Sequence, residues 1–124
     1  MEVEILRKVD GLIEGNIRKL MNLSKKFKSK IIFLGLTPVD ETKTMPIPWN
    51  TNKSYLNKNI KNHNEVIKSL CKENNLSFFD IFERWIKSNY KELLEDGFHP
   101  NSKGHQLILE SVKEFLIKNK IIFL

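Results

Sequence analysis

The apolar positions of this chain alternate between stretches with helical spacing and short continuous apolar runs. From Val3 to Phe27, apolar side chains recur every three or four residues, which predicts an amphipathic helix. Ile31 to Leu36 is a β-branched, apolar run that predicts a parallel strand buried on both faces. The stretch from Thr37 to Asn52 holds three of the four prolines, shows neither period and predicts a long loop of the kind that often lines a binding site.

The second half of the chain repeats this alternation. A second amphipathic helix is predicted from Leu56 to near Asn74 and Asn75, and a second strand from Leu76 to Phe79. Asp80 follows that strand directly, so it is predicted to cap a third helix over residues 81–94. A last helix is predicted to open after Pro100, where Asn101 can act as its cap.

Strands that alternate with crossover helices predict an α/β fold. We expect part of a flavodoxin-like three-layer sandwich with a short parallel sheet, formed as one domain over residues 1–124. The apolar residues 121–124 could add a short terminal strand. So few strands leave a sheet edge without a partner, which predicts a homo-oligomer or a complementing chain at that edge.

Composition narrows the class of protein. The chain is 29% charged and 40% hydrophobic, as in soluble globular proteins. Its apolar runs are far shorter than the ~20 residues of a membrane span, so none is expected. The start MEVEILRKVDGL shows no secretory signal, and the single Cys71 fits a reducing compartment. A cytoplasmic location is therefore expected.

The net charge of +6 raises the question of a nucleic-acid partner. Lysines are scattered among acidic residues and asparagines along the predicted helices, and there are only three arginines. This pattern is typical of solvated helix faces, so we expect no nucleic-acid partner.

Candidate chemistry lies in the segment EDGFHPN. Asp96 and His99 are three residues apart, with Gly97 between them and Pro100 after the histidine, which favours a turn before a helix. A carboxylate in that position can accept a hydrogen bond from one imidazole nitrogen. The other nitrogen is then free to take a proton from a hydroxyl nucleophile, as a general base does.

The whole string DGFHPNSKGH resembles the last signature block of the SGNH, or GDSL, serine hydrolases. IIFLGLTPVDE is similar to the fourth strand of that fold with its loop, and LSFFDIFERW is similar to the fifth strand with the next helix. The resemblance implies an ester hydrolase of the lipase/acylhydrolase kind, acting on acyl esters of lipids, of small acyl groups or of carbohydrates. It also implies Asp96 and His99 as the acid and base of a catalytic triad, with no cofactor and no metal.

The chain departs from the family pattern where the nucleophile is expected. It contains neither the Gly-Asp-Ser block that supplies the serine nor the Gly-x-Asn-Asp block that supplies an oxyanion-hole asparagine. We therefore expect a truncated remnant, one part of a split enzyme or a pseudoenzyme, inactive by itself because triad residues act as a unit. The alternative is a non-catalytic module, derived from the same fold, for self-association or partner binding.

Other residues with reactive or binding side chains receive simpler interpretations. His63 lies on an apolar helix stripe and is predicted to be a core or boundary histidine, and His105 has no partners at metal-ligand spacing. Trp49 fits either a substrate wall or a loop anchor. Three serines are candidate nucleophiles by type only, since none follows a strand in a tight strand-to-helix turn: Ser54, Ser77 and Ser102.

Overall fold

The computed structural model describes residues 14–27 and 30–121 of the chain. Its two strands pair in parallel, with Phe33 opposite Phe78, and helices alternate with them along the sequence. This confirms the predicted α/β fold with a short parallel sheet. In chain order the elements are α1 (residues 14–24), β1 (Ile32–Leu34), α2 (Glu41–Thr44), α3 (Asn57–Glu73), β2 (Ser77–Phe79), α4 (Ile81–Ile86), a 3-10 helix (Tyr90–Leu93) and α5 (Ser102–Lys118).

Helices pack on both faces of the sheet because successive strand residues point to opposite sides. Phe78 packs in a cluster with residues of α1 and α3, while Phe79 belongs to a cluster with α4, the 3-10 helix and α5. Between them the two clusters form the core on either side of β2. The first has Met21, Ile67, Leu70 and Cys71 as its buried members, and the second has Phe79, Ile81, Trp85, Tyr90, Leu93 and Leu94.

Strand β1 differs from its prediction in length and burial. It covers Ile32–Leu34 rather than residues 31–36, and Leu34 is 44% exposed. Among the described residues β1 pairs only with β2, so its second edge has no neighbouring strand. The prediction that this strand is buried on both faces is wrong. The burial of a strand depends on the elements that pack beside it, and the sequence of the strand itself does not specify them.

The third predicted helix is interrupted. Instead of one helix over residues 81–94, α4 ends at Ile86 and a separate 3-10 helix follows. The Ser88 hydroxyl donates to the Trp85 carbonyl at 2.8 Å, a side-chain bond that competes with helical continuation. Asp80 does cap α4 as predicted, since its side chain accepts from the Glu83 N–H at 3.2 Å.

The predicted loop over residues 37–52 contains the short helix α2, which the hydrophobic pattern does not indicate. Asp40 caps it by accepting from the N–H and the hydroxyl of Thr42, at 3.1 and 2.6 Å. The remaining long helices follow the sequence pattern closely. Residues 14–24 of the predicted first helix are helical, whereas its start at Val3 and the suggested strand at 121–124 fall largely outside the described residues.

Two asparagines of α3 hold the chain that leaves β1. The Asn64 side chain accepts from the Leu36 N–H at 2.8 Å and donates to the Leu36 carbonyl at 3.0 Å. Asn57, two helical turns earlier, makes the same pair of bonds to Val39, at 2.8 and 3.0 Å. These bonds fix the chain alongside α3 and satisfy backbone groups that would otherwise lack partners.

None of the helices in residues 14–27 and 30–121 combines the length and the apolar composition that crossing a bilayer requires.

Candidate active site

Asp96 and His99 lie on a tight turn between the 3-10 helix and α5, as the sequence predicts. Leu94 and Pro100 pair as an antiparallel bridge at its base, and the Glu95 N–H donates to the His99 carbonyl at 2.8 Å. Gly97 has a φ of +85°, in the left-handed region that glycine adopts without strain. The turn therefore depends on the glycine between the two polar residues.

The Asp96 carboxylate joins the turn to the imidazole. One oxygen, Oδ1, accepts from the N–H groups of Phe98 and His99 at 2.9 and 2.7 Å. The other, Oδ2, lies 2.6 Å from His99 Nδ1. The two side chains that the sequence suggests as a pair are thus in direct contact.

These contacts stabilise the charged form of the carboxylate. The backbone N–H of His99, followed by the His99 ring and the Phe98 N–H, lowers the pKa of Asp96 from 3.8 to about 2, although partial burial opposes the shift. An ionised carboxylate only accepts hydrogen bonds, so the proton between the groups belongs to Nδ1 of His99. When the imidazole is neutral, its Nε2 atom then carries no proton and can act as a hydrogen-bond acceptor.

The imidazole is accessible. The side chain of His99 is 58% exposed and that of Asp96 is 39% exposed. The ring also borders a cavity of about 500 Å³ with largely apolar walls. Nothing in this arrangement seals the histidine inside the hydrophobic core, so a small molecule can reach it.

Neighbouring elements fix the turn from both sides. The Asp40 N–H at the start of α2 donates to the Gly97 carbonyl at 2.9 Å. At the other end, Asn101 Oδ1 accepts from the Gly104 N–H at 2.9 Å, which confirms its predicted cap, and its Nδ2 donates to the Glu92 carbonyl at 2.8 Å. Sequence reasoning missed the part played by α2, although an aspartate followed by a glutamate is a usual start of a helix.

Three aromatic side chains lie close to the His99 ring or to one another beside it. Phe98 meets the His99 ring edge-on at a centroid distance of 4.5 Å and stacks on Tyr55 at 4.7 Å. Trp49 lies 6.1 Å from the His99 ring and 6.0 Å from Phe98, and it is 55% exposed. Trp49 therefore lies beside the candidate site, where both the substrate wall and the loop anchor stay predictions, while Tyr55 and Phe98 were not singled out from the sequence.

The remaining candidates are spread over the molecule. His63 is half-buried at the wall of the cavity, which agrees with a boundary histidine, and His105 is exposed on α5. Ser54 lines the cavity, Ser77 is in β2 and Ser102 begins α5. Within the described part of the chain, no group of three or more His, Cys, Asp or Glu side chains is placed to hold a metal ion.

The fold and this site define an α/β protein whose parallel strands are followed by an accessible carboxylate–imidazole pair. The sequence model of the GDSL-like Lipase/Acylhydrolase family matches residues 6–107. The chain belongs to that family. A search of curated proteins gave no match.

Two solved structures show the same fold. A GDSL-like lipase from Bacteroides thetaiotaomicron is 23% identical with a TM-score of 0.70, and the match covers 89% of this chain and 53% of that one. The esterase domain of an ORF1 protein from a zebrafish retrotransposon is 19% identical with a TM-score of 0.64, covering 86% of this chain and 58% of that one. The chain thus spans a little over half the length of the solved structures that it matches.

Proposed function

We propose that Asp96 and His99 are the acid and base of an ester hydrolase site whose serine nucleophile comes from a polypeptide segment outside the 124 residues. The observation that carries the proposal is the 2.6 Å contact between His99 Nδ1 and Asp96 Oδ2 on an accessible turn. Family membership supports the reaction class. The missing Gly-Asp-Ser block is the reason for placing the nucleophile elsewhere.

In this mechanism His99 moves protons and Asp96 orients the ring. The Nε2 atom takes the proton of the serine hydroxyl as its oxygen attacks the ester carbonyl, and Nδ1–H stays bonded to Asp96. The resulting imidazolium then protonates the departing alcohol, which leaves an acyl-serine. Water attacks that acyl group with its proton passing to Nε2, and release of the acid regenerates the serine and the neutral ring. The chemistry uses no cofactor and no metal.

The test is complementation. The chain is co-expressed with an amino-terminal segment of a GDSL-like relative that carries Gly-Asp-Ser, and hydrolysis of p-nitrophenyl acetate is followed at 405 nm. We expect turnover above that of either part alone, and loss of the gain in His99→Ala. The matched control is His105→Ala, an exposed histidine on α5, which should keep the gain. Equal turnover in the two variants would contradict the proposal.

A second candidate is a non-catalytic module that associates with a second copy of itself. One observation favours it: β1 has a free edge among the described residues, and a groove of about 650 Å³ beside that edge is lined by exposed apolar side chains of α1. Free strand edges and apolar patches are typical sites of association. A dimer in light scattering would support this candidate, and a monomer at every concentration would contradict it.

A further inference from the structure

The charge of the chain is distributed unevenly along its sequence. Between Glu14 and Asp40 there is no acidic residue, whereas six of the 21 Lys and Arg residues lie in that interval. The other 15 basic residues are matched by the 15 Asp and Glu residues of the chain, so this interval carries the whole net charge of +6. Its basic residues are Arg18, Lys19, Lys25, Lys26, Lys28 and Lys30.

Most of this charge has no carboxylate beside it. Arg18 is the exception, because it forms ion pairs with Glu14 and Glu73 at 2.9 and 3.1 Å. Lys25 donates to the uncharged amide oxygen of Asn74, which leaves its charge uncompensated. Over residues 14–27 and 30–121, no ion pair involves the exposed lysines of this interval, which are Lys19, Lys25, Lys26 and Lys30. An anionic partner therefore fits these side chains.

The same region of the surface is also apolar. A groove of about 650 Å³ beside β1 is lined by exposed apolar side chains of α1 and the turn after it, among them Leu23 at 55% and Phe27 at 68% exposure. Lys26 lies on that groove, while Lys25 and Lys30 line an adjoining cavity that shares Phe27 with it. Basic and apolar side chains thus lie side by side. We call this region the basic–apolar surface, formed by Leu20, Leu23, Lys25, Lys26, Phe27 and Lys30.

We propose that the basic–apolar surface binds to the interface of an anionic lipid bilayer without crossing it. Such a bilayer presents acidic head groups to the lysines and, directly below them, acyl chains to Phe27 and the leucines. Both kinds of side chain gain a partner in one contact. The inference goes beyond the proposed function and is independent of it, because none of these residues takes part in the chemistry at His99.

Other partners match only one half of this surface. A nucleic-acid duplex offers phosphates to the lysines, but its charged backbone would leave the exposed ring of Phe27 without an apolar contact. A second copy would cover the apolar side chains, but it would bring two surfaces of the same charge together, which costs free energy. Charge complementarity therefore favours the lipid surface.

Sedimentation with vesicles tests the proposal on the full chain. Binding is measured to vesicles of phosphatidylcholine alone and to vesicles that contain about one third phosphatidylserine. We expect roughly tenfold or tighter binding to the anionic vesicles. Most of this difference should disappear in about 1 M salt, where the screening length falls to about 3 Å. Equal binding to both kinds of vesicle, or no binding to either, would overturn the proposal.

Paired lysine substitutions locate the contact. Lys25→Gln combined with Lys26→Gln should weaken binding to the anionic vesicles by roughly 25-fold, about fivefold for each lysine. The matched control is Lys113→Gln combined with Lys118→Gln, which removes the same charge from exposed positions of α5, on the opposite face of the sheet from α1. The control should bind within about twofold of the parent, because charges beyond the screening length contribute little. Equal weakening in both double variants would overturn the proposal.

Substitution of Phe27 distinguishes a lipid surface from other anions. Phe27→Ala should weaken binding to the anionic vesicles roughly tenfold, since the ring no longer leaves water for the acyl region. Leu109→Ala, at a position 61% exposed on α5, should leave it unchanged. Circular dichroism checks that each variant folds, and the lysine pair remains as the test should Phe27→Ala not fold. Unchanged binding by folded Phe27→Ala would overturn the proposal, as would tighter binding to single-stranded or duplex DNA than to vesicles, or a dimer that binds no vesicles.

Discussion

The two carboxylate oxygens of Asp96 have different hydrogen-bond partners. A substitution can therefore change the bond to the imidazole and keep the bonds to the backbone. Asp96→Asn retains an oxygen for the N–H groups of Phe98 and His99, but an NH₂ group replaces Oδ2 and donates to Nδ1. The ring proton then moves to Nε2, which can no longer accept from a serine. We expect complemented turnover to fall by roughly 10³ to 10⁴ with the turn preserved. Turnover within a few-fold of the parent would show that the pair does not act through this tautomer.

The same variant has a signature in the pH dependence of stability. The folded pKa of Asp96, about 2, is below the reference value of 3.8, so on acidification the unfolded state takes up the proton first. The carboxylate therefore contributes stability above that reference value, and the contribution is lost as pH falls through about 2. Urea midpoints of the parent should drop more steeply than those of Asp96→Asn across this window. Parallel curves would contradict the hydrogen bonding assigned to Asp96.

At this scale the sequence predicts contacts between near neighbours better than contacts across the fold. Asp96 and His99 are three residues apart, so local turn geometry suffices to suggest their pairing. Tyr55 meets Phe98 only because α3 and the turn are brought together by tertiary packing. The two hydrogen bonds between Asn57 and Val39 also depend on tertiary packing, and no local sequence pattern predicts either of them.

Helix α5 depends on a close approach that only glycine permits. A Cβ atom at Gly104 would lie 2.5 Å from the Leu93 carbonyl oxygen, whereas one at Gly15 in α1 would meet nothing within 4 Å. Gly104→Ala should therefore destabilise the chain by about 1–3 kcal/mol despite the better helix propensity of alanine. Gly15→Ala is the matched control and should stabilise by up to ~1 kcal/mol. Urea denaturation measures both, and a stabilising Gly104→Ala would contradict the packing of α5 on the 3-10 helix.

Long helices could be predicted from the sequence because their apolar stripes span several turns, as in α3 and α5. The short helix α2 and the end of α4 could not be predicted in this way. Helix α2 has four residues and is held by the Asp40 cap, and α4 stops where Ser88 bonds back to the Trp85 carbonyl. In each case the hydrogen bonds of a single side chain lie at the boundary, and hydrophobic periodicity carries no information about them.

For the whole molecule, the alternation of strands and helices was enough to predict the α/β class, but not how completely the sheet would be covered. Leu34 is 44% exposed because, among the described residues, β1 has a neighbouring strand on one edge only. Leu23 and Phe27, 55% and 68% exposed, extend this surface on the α1 side. The chain matches a little over half the length of its solved relatives, and among the described residues this surface lies beside the unpaired edge of β1.

If that surface pairs with a second copy, stability should depend on protein concentration. We expect a single cooperative unfolding transition, because the two clusters share β2 and form one domain. Its midpoint should rise with protein concentration, because only the folded chain associates and association therefore stabilises the folded state. Phe27→Glu places a charge in the groove and should remove the concentration dependence, while Leu109→Glu on α5 should retain it. A midpoint independent of concentration would reject self-association, and two separate transitions would reject the single domain. A second copy and a serine-bearing segment would compete for this edge, so self-association should lower the gain in the complementation test.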